Sequence, residues 1–396
     1  MSINAKLKKI KTNLPWLARY PFARVQDFLG REPLENKHII FTVANHFEPG
    51  WKESGVHDLK TQIRRLKDYY KIARDTGEAV KDADGTKFRH GNFYPAEQYH
   101  PELLSIMAEM QAEGLGEVEI HLHHGVEKPD TAENLRRSLL DFRDCLAEEH
   151  KCLSQADGKG SPMYAFVHGN LALANSHGGK YCGVDEEMQI LQETGCYADM
   201  TLPSAPEPTQ VPMINQIYEC GLPLGQKIPH RKGLTVSVNG KQPLLPLIFT
   251  GPLVFDWGRR IKGLPVPSID EGGLTASKKL DRARLQRWLS ANITVKGRPD
   301  WVFVKLYCHG FIEQDQPACI GEDAKRFFSD VIEQGEKDSS YKVHFAAPRE
   351  AFNMVAAAID GKAGSPGDFR NYRLRAIMDK QAAKLPILEK ESILIC

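Results

Sequence analysis

The sequence predicts an α/β fold built around a parallel sheet, most simply a barrel. Short apolar runs rich in Val, Ile and Phe alternate with segments of helical periodicity, and the connections are long enough for helical crossovers. Several of the apolar runs also end in polar residues, as expected where the carboxyl ends of parallel strands open on one face. The length of 396 residues fits two or three domains, or one barrel with insertions.

The first half of the chain shows the strand and helix alternation most clearly. Strands are predicted at residues 38–44, 88–94, 117–123, 163–167 and 196–202. Helices are predicted at residues 59–73, 101–111, 131–150 and 185–194. The helix at 131–150 begins with a cap at Asp130 or Thr131 and an acidic residue at Glu133. Crossovers of this length favour parallel pairing of the strands.

The middle of the chain changes character. Residues 221–273 are rich in Pro and Gly, so we interpret 221–275 as a β-rich, irregular insertion or cap near the barrel mouth. The alternation then resumes with a helix at 280–292, a strand at 301–308, a helix near 323–333, a strand at 341–346 and a helix at 348–359. The predicted units are a basic N-terminal arm (1–35), the first part of the barrel (36–220), the insertion, the end of the barrel (276–362) and a tail (363–396).

Composition excludes several classes of protein. The formal net charge of +1 gives no electrostatic case for nucleic acid. The eight cysteines form no C-x-x-C pair, which argues against zinc ribbons and favours reduced thiols. No apolar run approaches the ~18 residues of a membrane span, and the N-terminus lacks the features of a secretory signal. A cytoplasmic location is therefore expected.

The first 31 residues carry seven Lys or Arg against the single acid Asp27, with aromatic residues between them. Contact with a membrane surface or an acidic partner is one interpretation. The alternative is an arm that packs its aromatic side chains on the domain. Pro15 and Pro21 are expected to prevent one long amphipathic helix.

Three of the fourteen histidines fall within four positions at the end of one predicted strand. They are His121, His123 and His124, and they follow the β-formers Val118 and Ile120. Residues two apart in a strand share a face, so His121 and His123 lie side by side and His124 faces the other way. Two imidazoles on one face form a partial ligand set for a divalent metal. The alternative is hydrogen bonding of these rings to the backbone.

Three other predicted strands end in residues of the same kind: His46 with Glu48, His168 with Asn170, and His309. In a parallel barrel the carboxyl ends of all strands open on one face, where active sites are built. Residues that are far apart in sequence are therefore expected to converge.

A metal-dependent hydrolase fits these residues. His46, His121 and His123 could hold a Zn²⁺-like ion and leave a position for water, whose pKa the ion lowers toward ~7. Glu48 could act as the general base, and His309 could protonate the leaving group. The alternatives are turn chemistry for Glu48 and a loop histidine bonded to the backbone for His309.

Further residues are candidates for supporting roles. Asp199 could orient a histidine or bind substrate. His168, Asn170 and His124 are candidate substrate-binding residues, with Asn170 positioned for sugar hydroxyls.

The order of these strand ends resembles that of polysaccharide deacetylases of the nodulation-deacetylase homology type, a carbohydrate esterase family. The resemblance rests on residues 45–46, 119–123 and 304–309 and spans roughly residues 38–350. It implies a distorted barrel of seven or eight strands. It also implies a divalent metal, expected to be zinc, and hydrolysis of an acyl group from a sugar or glycan precursor.

The chain departs from the motifs of that family. An Asp-Asp pair that supplies a base and a ligand looks like Asn45 and His46 here. In the His-x-x-x-His motif, the first histidine looks like His123, but Glu127 stands four residues later. The chain is therefore similar to a divergent branch, with a rearranged metal shell or a changed reaction.

Two other functions remain open on the sequence. Residues 45–49 also resemble the opening strand of amylase-like glycosidases, whose chemistry needs two carboxylates and no metal; Glu48 and Asp199 are the pair available. A glycan-binding or scaffold protein that has lost its catalytic residues is the non-enzyme alternative, favoured by the missing Asp-Asp pair.

Overall fold

The computed structural model describes residues 3–31, 33, 35–258, 260–337 and 340–378. Its helices are α1 Ile3–Leu29, α2 Leu59–Ala79, α3 Pro101–Ala112, α4 Ala132–Glu148, α5 Glu187–Glu193, α6 Arg282–Ser290, α7 Gln316–Cys319, α8 Glu322–Lys337 and α9 Pro348–Ile359. Residues 379–396 of the predicted tail lie outside the described part.

The strands follow the predicted order along the chain. They are β1 Lys37–His46, β2 His90–Pro95, β3 Gly116–Leu122, β4 Ser154–Ala156, β5 Lys159–His168, β6 Cys196–Asp199, β7 Ile217–Cys220, β8 Gly233–Thr235, β9 Leu247–Phe249, β10 Val254–Asp256, β11 Arg260–Ile261, β12 Leu264–Pro265, β13 Ser268–Asp270, β14 Trp301–Cys308, β15 Tyr341–Phe345 and β16 Leu374–Ala376.

One large, mostly parallel sheet organises the molecule. Its strand order is β14–β1–β2–β3–β5–β6–β9–β7–β8, and the pairs from β14 to β9 are all parallel. β7 and β8 add antiparallel strands at one end. β15 pairs with the first half of β1, and β2 pairs with its last three residues. The predicted α/β class is confirmed, but within the described residues the hydrogen bonding does not close this sheet into a barrel.

The two faces of the sheet are both buried, as is typical of parallel sheets. Alternate residues of β1 belong to different cores: Ile39 and Phe41 lie in the core that includes the inner faces of α2, α3 and α8, whereas Ile40 lies in a second core with α9. Every residue of α9 is buried. This alternation decides which strand-end side chains share a face.

Part of the predicted insertion belongs to the central sheet. β9 pairs in parallel with β6 and antiparallel with β7, and β8 pairs antiparallel with β7. The other strands of the segment form two small two-stranded sheets, β10 with β13 and β11 with β12.

The expectation that prolines prevent one long N-terminal helix is wrong. α1 runs from Ile3 to Leu29 with Pro15 and Pro21 inside it. Each proline removes one helix hydrogen bond, and packing of the helix on the domain offsets this loss. Trp16 is buried against Phe255, with ring centroids 6.0 Å apart. Among the described residues, no helix is long and apolar enough to cross a membrane.

Candidate metal centre

The carboxyl ends of β1, β3 and β14 bring a group of histidines together. The ring of His46 lies 4.8 Å from that of His121 and 4.5 Å from that of His309, measured between centroids. The ring of His123 lies 4.5 Å from that of His121. Four of the histidines singled out in the sequence therefore meet at one edge of the sheet.

His121 is held in the orientation of a metal ligand. Its Nδ1 donates a hydrogen bond of 2.7 Å to the carbonyl oxygen of Val167 on the neighbouring strand β5. This bond places the proton on Nδ1 and leaves the lone pair on Nε2. Nε2 is buried and has no hydrogen-bond partner in the described structure. Metal-bound histidines show this arrangement, in which the second nitrogen donates to a carbonyl or a carboxylate.

His46 and Glu48 complete a group of three donors with His121. One ligand atom of each residue lies within 4.8 Å of the others, and all three residues are buried. Burial, followed by the charges of neighbouring histidines, holds the pKa values of His46 and His121 well below the ordinary histidine value. Both rings are therefore neutral near pH 7, which is the form that binds metal. Burial also raises the pKa of Glu48, while His123 opposes this effect.

His123 is bound by carboxylates and lies outside this three-residue group. Its Nδ1 lies 2.6 Å from Oε1 of Glu97, and its backbone N–H donates to the other oxygen of Glu97 at 3.3 Å. Its Nε2 is 3.5 Å from Oε1 of Glu48. Burial opposes protonation, but the hydrogen bond to Glu97 and the charge of Glu48 outweigh it and raise the pKa of His123. The group of three donors therefore contains Glu48, whereas His123 lies beside His121 but outside that group.

Asn45 lies near the end of β1, and His309 directly follows the neighbouring strand β14. His309 is partly exposed, and burial lowers its pKa to about 4 although Asp315 opposes the shift. Asn45 points to the other face of β1, where its amide donates to the hydroxyl of Tyr69 at 3.1 Å and its carbonyl accepts the N–H of Gly310 at 2.9 Å. Asn45 thus fixes the loop that carries His309.

Asp199 is a buried residue that supports the backbone. Its carboxylate accepts the N–H of Thr201 at 3.1 Å and the Thr201 hydroxyl at 2.8 Å. The same hydroxyl accepts the backbone N–H of His168 at 2.9 Å. Burial raises the pKa of Asp199 to about 7, and the residue has no exposed surface. A glycosidase pair of Glu48 and Asp199 gains no support from this placement.

His124 and His168 form a separate cluster. His124 lies in the loop after β3, and its ring centroid is 4.8 Å from that of His168. Its Nε2 lies 3.0 Å from Nε2 of His168 and 2.9 Å from Oε1 of Glu187. Cys182 is the fourth member. Asn170, in the loop after β5, is exposed.

Cys182 and Glu187 are not among the site residues predicted from the sequence. Cys182 lies in an irregular loop, and Glu187 lies in the first turn of α5. One signal was present: Glu187 is an acid in a run with Val184, Met188 and Ile190, and it is fully buried with them. An acid within an apolar helix face needs a partner for its charge.

Comparison of the chain with family models, with curated proteins and with solved structures gave no match. The function of these residues is therefore argued from their chemistry and geometry.

Proposed function

We propose that the protein is a metal-dependent hydrolase whose ion is held by His46, His121 and Glu48. The observation that carries the proposal is the buried Nε2 of His121, which lacks a partner among the described residues while Nδ1 is fixed by the carbonyl of Val167. A buried polar atom without a partner costs about 1–3 kcal/mol. A ligand at this position removes that cost.

The donor set fits a catalytic ion. Two imidazoles and one carboxylate form the His₂Glu combination found in zinc hydrolases. The site also borders partly exposed residues, His123 and His309, so that a substrate can reach it. When bound, the ion supplies Lewis-acid chemistry, activating water and polarising an acyl carbonyl.

The side chains around the donors supply proton transfer and orientation. Glu97 holds His123 through Nδ1 and leaves Nε2 directed at Glu48. A histidine oriented by a carboxylate in this way is suited to move a proton between water and a leaving group. His309 faces His46 from β14 and borders the same space. We therefore assign His123 the acid–base role and Glu48 a ligand role.

We take the substrate class, sugars that carry an acyl group, from the resemblance to polysaccharide deacetylases.

That family implies a distorted barrel, and two sets of contacts support a barrel here. Residues 272–274 form hydrogen bonds with the edge of β14 that faces away from β1. Tyr307 N–H donates to the carbonyl of Gly272 at 3.2 Å, and Leu274 N–H donates to the carbonyl of Tyr307 at 2.9 Å. Lys305 Nζ donates to the carbonyl of Leu202 at 2.7 Å.

The first test is metal content. We expect the purified protein to contain zinc or a similar ion, and His121→Ala to lose one equivalent per chain while its circular dichroism stays unchanged. His57→Ala is the matched control, because His57 lies in the loop before α2, outside the donor group. Unchanged metal content in folded His121→Ala contradicts the proposed site.

The second test is activity against acetylated sugars, both esters and amides, measured as acetate release with and without a chelator. We expect release that depends on metal and is lost in His121→Ala and reduced in His123→Gln. Metal binding without release from any acetylated sugar would contradict the substrate class but not the metal site.

A further inference from the structure

We propose that the protein holds a second metal ion in a closed site formed by His124, His168, Cys182 and Glu187. All four residues are buried, and one ligand atom of each lies within 4.8 Å of the others. The residues come from four places: the loop after β3, the end of β5, an irregular loop and the first turn of α5. This site is distinct from the group at His46.

The spacing of the ligand atoms matches a tetrahedral ion. A tetrahedron with metal–nitrogen and metal–oxygen bonds of about 2.0–2.1 Å has edges of about 3.4 Å, and an edge to a thiolate sulfur measures about 3.6 Å. The Nε2 atoms of His124 and His168 are 3.0 Å apart, and they lie 2.9 and 3.4 Å from Oε1 of Glu187. Sγ of Cys182 is the fourth donor of the group, in which one ligand atom of each residue lies within 4.8 Å of the others. The three edges among the nitrogen and oxygen atoms need to open by about 0.5 Å or less to reach the tetrahedral value.

The outer atoms of these side chains already have partners. Nδ1 of His124 lies 3.0 Å from Oδ2 of Asp130, and Nδ1 of His168 donates to the carbonyl of Gly169. Oε2 of Glu187 accepts the backbone N–H of Ala174 at 2.5 Å. Both Nε2 atoms and Oε1 are therefore directed at the same point.

Hydrogen bonds among these four side chains do not satisfy all of their lone pairs. Nδ1–H of His168 donates to a carbonyl, so that its Nε2 carries a lone pair close to Oε1 of Glu187. A single Nε2 proton on His124 must then serve both acceptors. A divalent cation meets all of these lone pairs at once. Outer partners on each ligand are the usual support of a metal site.

The chemistry and burial indicate a structural role for this ion. A set of two histidines, one cysteine and one glutamate suits zinc. His168, Cys182 and Glu187 have no exposed surface and His124 has 7%, so no coordination position is open to substrate. Structural zinc sites are closed in this way.

The second ion would fix the loop that follows β5. Five non-glycine residues of this loop have positive φ angles, namely Asn170, Leu171, Ala174, Asn175 and Tyr181, a backbone conformation that L-residues other than Asn and Asp rarely adopt. Ligands on both sides of the loop tie it to β3 and α5. His124 also follows His123, and His168 follows Val167, which orients His121. The closed site therefore supports the positions of the first.

The experiment replaces the bound metal with Co²⁺ in the full-length protein. A cobalt ion ligated by a thiolate shows a near-ultraviolet charge-transfer band, whereas the donors His46, Glu48 and His121 include no thiol. We expect two equivalents of metal and this band in the wild type. Cys182→Ser should lose the band and one equivalent, and His121→Ala should keep the band while losing the other equivalent.

The matched control is Cys196→Ser, because Cys196 is also buried, and within the described part of the chain its thiol donates only to the carbonyl of Ala198. It should keep the band and both equivalents. A band that survives in Cys182→Ser, or two equivalents retained there, overturns the proposal. If that variant does not fold, X-ray absorption of the wild-type zinc protein decides: a sulfur ligand at about 2.3 Å is expected, and zinc without sulfur overturns the second site.

Discussion

At the scale of single residues, Gly125 shows how tightly the loop after β3 is packed. Its φ of 64° lies in the left-handed region that glycine adopts without strain. A Cβ at this position would overlap the backbone of Cys182. The two loops are also joined by hydrogen bonds of 2.9 Å from Tyr181 N–H to Gly125 and 2.8 Å from Asp130 N–H to Cys182. Glycine is therefore required here for both conformation and space.

We expect Gly125→Ala to destabilise the protein more than Gly85→Ala. Gly85 also has a positive φ, of 78°, but a Cβ there would meet no atom within 4 Å. The control should cost about 1–2 kcal/mol, which is the conformational term. Overlap with Cys182 should add roughly 1–3 kcal/mol at position 125. Urea denaturation measures the free energy of unfolding of both variants. Equal decreases in this free energy would show that the contact between the two loops does not contribute to stability.

At the scale of elements, strand periodicity explains part of the arrangement of the histidines but not the positions of loop residues. The rings of His121 and His123, two residues apart, lie side by side, whereas His124 contacts His168 and Glu187. The same rule does not give the positions of Cys182 or Glu48. A loop residue reaches a site through tertiary contacts that no local pattern encodes.

The class of fold was predictable for a similar reason. Strand and helix alternation depends on local hydrophobic periodicity, whereas entry of β9 into the central sheet depends on pairing with β6, more than 45 residues earlier. Proline likewise gave a misleading local signal in α1, because packing of Trp16 outweighs the missing hydrogen bonds. The closed cluster was not predicted, because three of its four ligands, His124, Cys182 and Glu187, lie outside strands.

A buried network of ion pairs and hydrogen bonds around Glu350 stabilises the start of α9. Oε2 of Glu350 lies 2.5 Å from Arg89 and 3.3 Å from Arg370, and it accepts the N–H of Ala347 at 2.9 Å. Burial opposes ionisation of Glu350, but Arg89, Arg370 and Arg349 outweigh it and hold its pKa at about 2. The carboxylate is therefore more easily ionised in the folded than in the unfolded chain.

We expect Glu350→Gln to lose about 3–5 kcal/mol at neutral pH, since it leaves buried arginines without their partner. A depressed pKa stabilises the fold above the unfolded value of 4.5, and this stabilisation is lost as the pH falls toward 2. The difference between wild type and variant should thus shrink over that range. Glu333→Gln, at an exposed pair with Lys337, is the control and should leave stability unchanged. A difference independent of pH would contradict the charge argument.

At the scale of the whole molecule, the two proposed metal sites are neighbours that share the carboxyl ends of β3 and β5. The end of β3 supplies His121 to one, and the next residues supply His124 to the other. β5 supplies the Val167 carbonyl that orients His121, and then His168. The first site borders the partly exposed His123, and the second is closed. One rigid pair of strands would thus separate a reactive ion from a structural one.

This arrangement predicts two rates of metal loss to a chelator. The first equivalent should leave quickly from the open site, while the second should leave only as the protein unfolds, because its ligands have almost no access to solvent. Low urea concentrations should accelerate the second phase alone. His121→Ala should lack the fast phase and Cys182→Ser the slow one, as followed with a metal-sensitive dye. A single fast phase releasing both equivalents would show that the second site is open, contrary to the burial of its four ligands.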